Sequence, residues 1–248
     1  MRLIINADDF GYSRAVNYGI IDAYRLGVLT STTLMVTMPG LDHAIELYKQ
    51  NQGLGLGLHL NVSFGKPMTN CSSLTRDGEF IKPKNYTNDI VFDEMEILQE
   101  FKAQYDKFIE YIGKKPSHLD SHLFTTDLNK TIAKCACSFA EELKIPLRNH
   151  DTSSFEHVEF IQFRNFNETV GLDYIYRQFE RIIQYDCAEI MSHPAYVDEY
   201  LMENSTYNLQ RLDELEILID TKLKDLIKQH QVEVITYNQI REKSTSGS

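Results

Sequence analysis

Leu3-Ile4-Ile5-Asn6-Ala7-Asp8-Asp9-Phe10-Gly11 starts as a short apolar β-run and ends on two carboxylates and a glycine turn. Ser13 follows as a plausible N-cap, and Val16, Ile20, Ala23 and Tyr24 recur at helical spacing until Gly27 ends the helix. Thr32 to Val36 is then a second β-run. Strand, amphipathic helix and strand in this order mark parallel βαβ units.

The alternation continues along the chain. A helix over Leu41–Lys49 leads to Leu54-Gly55-Leu56-Gly57-Leu58-His59-Leu60-Asn61, a strand whose glycines imply close backbone neighbours. Ser63 to Asp93 is polar, has a turn signal at Arg76-Asp77-Gly78, and is long enough to serve as an active-site loop. Asp93 caps a helix with Leu98, Phe101, Tyr105, Phe108, Ile109 and Ile112 on its buried stripe, stopped by Gly113 and Pro116. Ser117 to Leu123 reads as a strand, Asn129 to Leu143 as a helix, and Pro146 to Arg148 as a short strand. The stretch to about Glu168 has no clear pattern, and a helix is expected near Leu172–Ile183. Ala188 to Pro194 reads as a strand, and Leu212, Leu215, Ile219, Leu223 and Leu226 as one helix before a strand at Val232–Ile235.

With no internal repeat and no Pro/Gly/Ser-rich linker, residues 1–243 read as one domain and 244–248 as a flexible polar tail. The expected fold is a distorted (β/α) barrel of about seven or eight parallel strands, with an open doubly wound sheet as the alternative. At 248 residues and 42% hydrophobic content, the chain can bury a large core. A net charge of -11 without a Lys/Arg cluster excludes an electrostatic grip on nucleic acid or an anionic membrane. Met1 to Ala7 has neither signal-peptide nor membrane-span character, so a cytoplasmic protein is expected. The four cysteines, Cys71, Cys135, Cys137 and Cys187, read as free thiols, and a homodimer is expected from the prevalence of two-fold assemblies.

Asp8-Asp9, His59, His122 and His193 fall at the C-terminal ends of four strands, where parallel α/β folds gather catalytic groups. Each alone has a bland reading: the aspartates as turn formers or helix caps, the histidines as packing residues. Adjacent side chains on a strand point to opposite faces, so Asp8 and Asp9 share a site only where the strand bends toward Phe10-Gly11. There one carboxylate can bind a cation while the other accepts a proton from water. On an extended strand His118 and His122 stand about 13 Å apart, so they cannot both bind one ion. His122 at the strand end is the better ligand, His118 reads as structural, and Asp120 between them as an orienting group.

Asp9, His59 and His122 thus make a one-carboxylate, two-imidazole set for one divalent metal ion, suited to Zn²⁺ and tolerated by other ions such as Mg²⁺. His193 is a candidate acid for a leaving amine. Arg148 is either a bidentate partner of Asp8 or a simple surface charge. His43, His150, His157 and His230 read as surface or helix residues.

In order, Asn6-Ala7-Asp8-Asp9-Phe10-Gly11, Gly57-Leu58-His59-Leu60, Pro116-Ser117-His118-Leu119-Asp120-Ser121-His122 and Ser192-His193-Pro194-Ala195 resemble the motifs of the YdjC-like carbohydrate deacetylases, the group with chitooligosaccharide deacetylase. Leu74-Thr75-Arg76-Asp77-Gly78 and Leu147-Arg148 are similar too. The resemblance implies a polysaccharide-deacetylase-like barrel, a divalent metal on Asp9, His59 and His122, and hydrolysis of acetyl groups from a small, N-acetylated, possibly phosphorylated sugar. It also implies Asp8 as base, His193 as general acid and Arg148 as their support. Leu123-Phe124-Thr125-Thr126 follows His122 where family members commonly carry further histidines, a departure from the family pattern at that point. A metal-dependent hydrolase of another ester or amide, a phosphoesterase, and a non-catalytic sugar-binding or regulatory protein are the alternatives.

Overall fold

The computed structural model describes residues 1–163 and 174–243. β1 (Arg2–Phe10) leads through α1 (Arg14–Leu26) to β2 (Ser31–Leu34), α2 (Leu41–Lys49) and β3 (Gly55–Leu60). A small hairpin of β4 (Thr75–Arg76) and β5 (Glu79–Phe80) precedes α3 (Glu94–Ile112), β6 (Leu119–Ser121), α4 (Thr125–Leu128) and α5 (Lys130–Leu143). Then come β7 (Glu159–Gln162), α6 (Tyr174–Ile182), β8 (Cys187–Ser192), α7 (Glu199–Asn204), α8 (Gln210–Ile219), α9 (Thr221–Gln229) and β9 (Glu233–Val234). Ser13 and Asp93 cap α1 and α3 by accepting backbone N–H groups, and Gly113 ends α3 in the left-handed region at φ 77°.

Among the described residues, seven strands form one sheet in the order β6-β3-β2-β1-β8-β7, with β9 added beside β1. All its ladders are parallel, so the expected distorted parallel barrel is borne out, with seven strands. β9 and β2 share one edge of β1: Glu233, Ile235 and Thr30 donate to the carbonyls of Met1, Leu3 and Ile5 in turn.

The period-2 pleat sorts residues between two cores. Leu3, Ile5, Ala7, Leu56, Leu58, Leu60, Ala188 and Ile190 face the helices in the main apolar cluster. Fully burying each such Leu or Ile stabilises the fold by roughly 1.5–3 kcal/mol. The opposite face lines the inside of the curl. There Ile4, Cys187, Ile235, Tyr237 and Ile240 form a small second cluster. Further along the strands the same face turns polar, with Asn6, Asp8, Thr33, His59, Asp120 and Glu189, all buried. Gly57 makes room among them: a Cβ there would lie 2.5 Å from His118 Cε1 and 2.7 Å from Thr33 Cγ2. The His118 ring in turn stacks on Tyr237 at 3.7 Å between centroids.

Three expectations differ from the structure. Pro146 to Arg148 is not a strand; Leu147 makes a single parallel bridge to Leu119, because Pro146 lacks an N–H and Asn149 turns away at φ 56°. β7 lies in the stretch that showed no pattern, and its four residues are all half-buried, leaving no inside-outside alternation to read. The helix expected from Leu212 through Leu226 is two, broken at Asp220, which is extended at φ -64°, ψ 138° and caps α9 through its side chain. The start of the helix expected at Leu172 and the tail 244–248 lie outside the described residues. The four cysteines are free, and no described helix is long and apolar enough to cross a membrane.

Gly57→Ala should lower stability by about 1–3 kcal/mol, because the added methyl overlaps packed ring and methyl groups. Urea unfolding measures this, and wild-type stability would contradict the tight packing of His118 against β3.

Candidate metal centre

The site begins with an irregularity in β1. Its ladder to β2 pairs Ala7 with Thr32 and then Phe10 with Leu34, so three steps on β1 oppose two on β2. The extra residue is a β-bulge, and Asp9 absorbs it at φ 72°, a left-handed conformation unusual for a non-glycine residue. The bend brings neighbouring carboxylates into one pocket: Asp8 and Asp9 line it together with His59, His122 and His193. The pocket holds about 480 Å³, and Tyr12, Phe64, Phe124, Tyr207, Lys82 and Lys84 contribute to its walls.

Asp9 Oδ1 lies 3.1 Å from His122 Nδ1 and 3.4 Å from His59 Nε2. One donor atom from each of the three residues falls within 4.8 Å of the others, and all three are buried. Behind this trio, Asp120 Oδ1 is 2.6 Å from His59 Nδ1, while Asp120 Oδ2 accepts from Thr33 Oγ1 at 2.9 Å. A carboxylate on Nδ1 fixes the ring and turns Nε2 toward Asp9, where its lone pair would be available to a cation, the usual carboxylate–histidine–metal arrangement. His122 stands on a 3-10 turn after β6, followed by Leu123 and Phe124 at φ 53° and 55°.

Asp8 is held differently. Arg148 donates through Nη1 to Oδ2 and through Nη2 to Oδ1, both at 2.7 Å, and Asn6 Nδ2 donates to Oδ1 at 2.9 Å. Arg148 also reaches Asp120 at 2.8 Å and Glu189 at 2.6 Å, and Glu189 accepts from the Tyr237 hydroxyl. Burial raises the Asp8 carboxyl, but the Arg148 charge and its hydrogen bonds outweigh this and hold it down at about 2. Asp9 sits well below the usual carboxylate range because Arg211 and His122 overcome its burial. Burial lowers His59 as well, yet Asp120, with Asp9 and Asp8, pushes it up to about 10. His193 is carried down to about 4 by burial, with Arg211 adding to the effect. Its backbone N–H donates to Glu214 Oε2 at 2.6 Å, and its ring lies 5.6 Å from the Tyr207 ring.

The donor set fits a divalent cation. Asp9, His59 and His122 offer one oxygen and two nitrogens, a combination suited to Zn²⁺ and open to other ions. The surrounding charge agrees: Asp8, Asp9, Asp120, Glu189 and Glu214 are buried carboxylates, against the buried guanidiniums of Arg148 and Arg211. Asp8, His59 and Asp120 also lie close enough to hold an ion, but their facing atoms are already spent on Arg148 and on the His59–Asp120 bond.

A family model described as YdjC-like protein matches residues 2–229. The chain belongs to the YdjC-like family. It is 53% identical to Carbohydrate deacetylase 2 of Listeria innocua, over 98% of this chain and 100% of that one. It is 32% identical to a chitooligosaccharide deacetylase of Proteus mirabilis, covering 96% and 98% of the two chains. A crystal structure from Enterococcus faecalis V583 matches with a TM-score of 0.85 and 30% identity, over 95% of this chain and 97% of that one. A family 4 acetyl xylan esterase from Clostridium thermocellum, solved with a cobalt ion, matches at TM-score 0.50 and 12% identity over 95% and 88%, a likeness of fold alone. The family reading of the motifs is therefore borne out.

Sequence reading missed Arg211, Glu214, Glu189 and Thr33. The signals were present. Glu189 is a charged residue inside the otherwise apolar Ala188–Met191 strand, and Arg211 and Glu214 share the buried face of α8 with Leu215 and Leu218. His118 is buried beside Tyr237 rather than among the cation donors, while His43 is buried on α2 next to Asn17.

In chelator-treated protein the raised His59 sets a pH dependence. Its folded value of about 10 lies above the unfolded value of about 6.5, so the stability it contributes is full below about pH 6.5 and is lost as pH rises through about 10. Urea unfolding at pH 6, 8 and 10 should show a larger alkaline loss for wild type than for His59→Gln. Parallel curves would contradict it.

Proposed function

We propose that the chain is a carbohydrate deacetylase that uses one divalent cation, Zn²⁺ or Mg²⁺, to hydrolyse the acetamide of a small N-acetylated sugar. The observation that carries this reading is the three-donor cluster of Asp9, His59 and His122 beside an Arg148-clamped Asp8, in a chain 53% identical to Carbohydrate deacetylase 2. A chitooligosaccharide is the substrate class favoured by the Proteus mirabilis relative. Its rings match the aromatic walls made by Tyr12, Phe64, Phe124 and Tyr207. Lys82 and Lys84 on the pocket wall favour a phosphorylated sugar.

A cation held by Asp9, His59 and His122 supplies polarisation of the acetyl carbonyl and acidification of a water. Asp8 accepts that water's proton. Arg148 and Asn6 occupy three of its acceptor positions and aim the remaining lone pair. Because Arg148 holds it at about 2, Asp8 is ionised near neutral pH, in the form that can accept a proton. His193, on the same pocket, protonates the leaving sugar nitrogen. At about 4 in the resting site its ring is neutral near pH 7, so it takes up a proton from solvent before donating it to the nitrogen, and Asp8 returns its own proton to solvent when the products leave. The low polarity of the aromatic walls strengthens each of these charge interactions.

With Zn²⁺ or Mg²⁺ added, the protein should release acetate from diacetylchitobiose or its 6-phosphate. Asp8→Asn should lower turnover by roughly 10²–10⁴-fold while binding the cation as wild type does. Wild-type turnover in that variant would remove Asp8 from the base role, and no acetate from either sugar would reject the substrate class.

A further inference from the structure

We propose that Arg211 is a positioning residue for the cation site: it claims one oxygen of Asp9 so that the other alone faces the two histidines. The inference deepens the metal-centre reading and rests on it.

Arg211 stands at the second residue of α8 and is 4% exposed. Its Nη2 donates to Asp9 Oδ2 at 2.7 Å, and its Nε donates to the Tyr207 carbonyl at 2.8 Å. The guanidinium carbon lies 5.9 Å from the Tyr12 ring centroid and 5.8 Å from that of Tyr207, within cation–π range of both. Its own carbonyl accepts from Ala195 N, two residues beyond His193. A guanidinium held by these contacts is a fixed reference point, not a mobile surface charge.

Asp9 needs such a reference. Its backbone is in a left-handed conformation at a bulge, and such a conformation persists only where the surroundings over-determine it. With Oδ2 on Arg211, the carboxylate plane is set, and Oδ1 points to His122 Nδ1 and His59 Nε2. Asp9 is then a one-oxygen ligand, and both-oxygen coordination is closed to it. Two effects of the Arg211 charge oppose each other. It repels a cation, and it orders the ligand that binds one. Removing the groups that orient metal ligands typically weakens binding by 10–100-fold, and the proposed role requires this ordering to outweigh the repulsion.

The same contacts join the cation site to the pocket wall. Tyr207 packs its ring near His193, donates its hydroxyl to Glu214, and gives its carbonyl to Arg211. Arg211 therefore ties the ligand Asp9 to the wall that carries Tyr207.

Titration calorimetry of the chelator-stripped full chain with Zn²⁺ alone tests the assignment. Wild type should bind one ion. Arg211→Met, which keeps the stem but not the charge or donors, should bind it 10–100-fold more weakly. Arg211→Lys, able to reach Asp9 but not Tyr207 at the same time, should recover part of the loss. A merely structural arginine would give variants with lower melting temperatures and unchanged Zn²⁺ affinity. If Arg211→Met does not fold, Arg211→Lys decides alone: weaker binding than wild type supports the role. Wild-type or tighter affinity in a folded variant overturns it. Absence of binding by the wild type would instead reject the metal-centre reading.

Discussion

The guanidinium of Arg148 lies inside the curled sheet, within ion-pair distance of Asp8 on β1, Asp120 on β6 and Glu189 on β8. β6 is one end of the sheet and β8 is next to the other, so one side chain ties the two flanks across the interior. Burying these charges is costly, and a buried ion pair is weak evidence of stability in general. Here it sets positions. Arg148 fixes the rotamer of Asp8 directly and, through Asp120, the ring of His59. An apolar plug of similar volume would fill the space yet leave Asp8 and the orienting carboxylate of Asp120 without a common reference. The interior is accordingly divided by height, with Ile4, Ile235 and Ile240 below and the charged network above.

A second constraint comes from the strand itself. Regular pleating would send Asp8 and Asp9 to opposite faces, one toward the barrel interior and one into the helix layer. The bulge between Ala7 and Phe10 turns Asp9 into the pocket at the cost of a left-handed backbone. Two arginines then divide the pair: Arg148 takes Asp8 by both oxygens, and Arg211 takes Asp9 by one. Adjacent residues of identical chemistry thereby acquire different surroundings, one clamped on both sides and one left with an oxygen facing two imidazoles.

Much of this was legible in the sequence because its signals are local. The βα alternation, the Ser13 and Asp93 caps, the Gly113 stop and the strand-end positions of Asp8, Asp9, His59, His122 and His193 all follow from neighbours a few residues apart. The four motifs pointed to the family for the same reason. What escaped depends on long-range contacts. Arg211 meets Asp9 from more than two hundred positions away, and in sequence it looks like an ordinary charge at the start of an amphipathic helix. β7, a half-buried edge strand, has no alternation, and Leu147 pairs for one residue only, too little to separate from a loop. The break at Asp220 is a capping event within a continuous apolar pattern, which periodicity alone passes over.

Anomalous diffraction from a crystal of the Zn²⁺-loaded protein is the most direct measurement on the central assignment. The expected result is a single ion bonded to Asp9 through one oxygen and to His59 and His122 at about 2.0–2.2 Å, with Asp8 still on Arg148 and outside the coordination shell. An ion seated on Asp8, His59 and Asp120, or bound elsewhere on the chain, would contradict it.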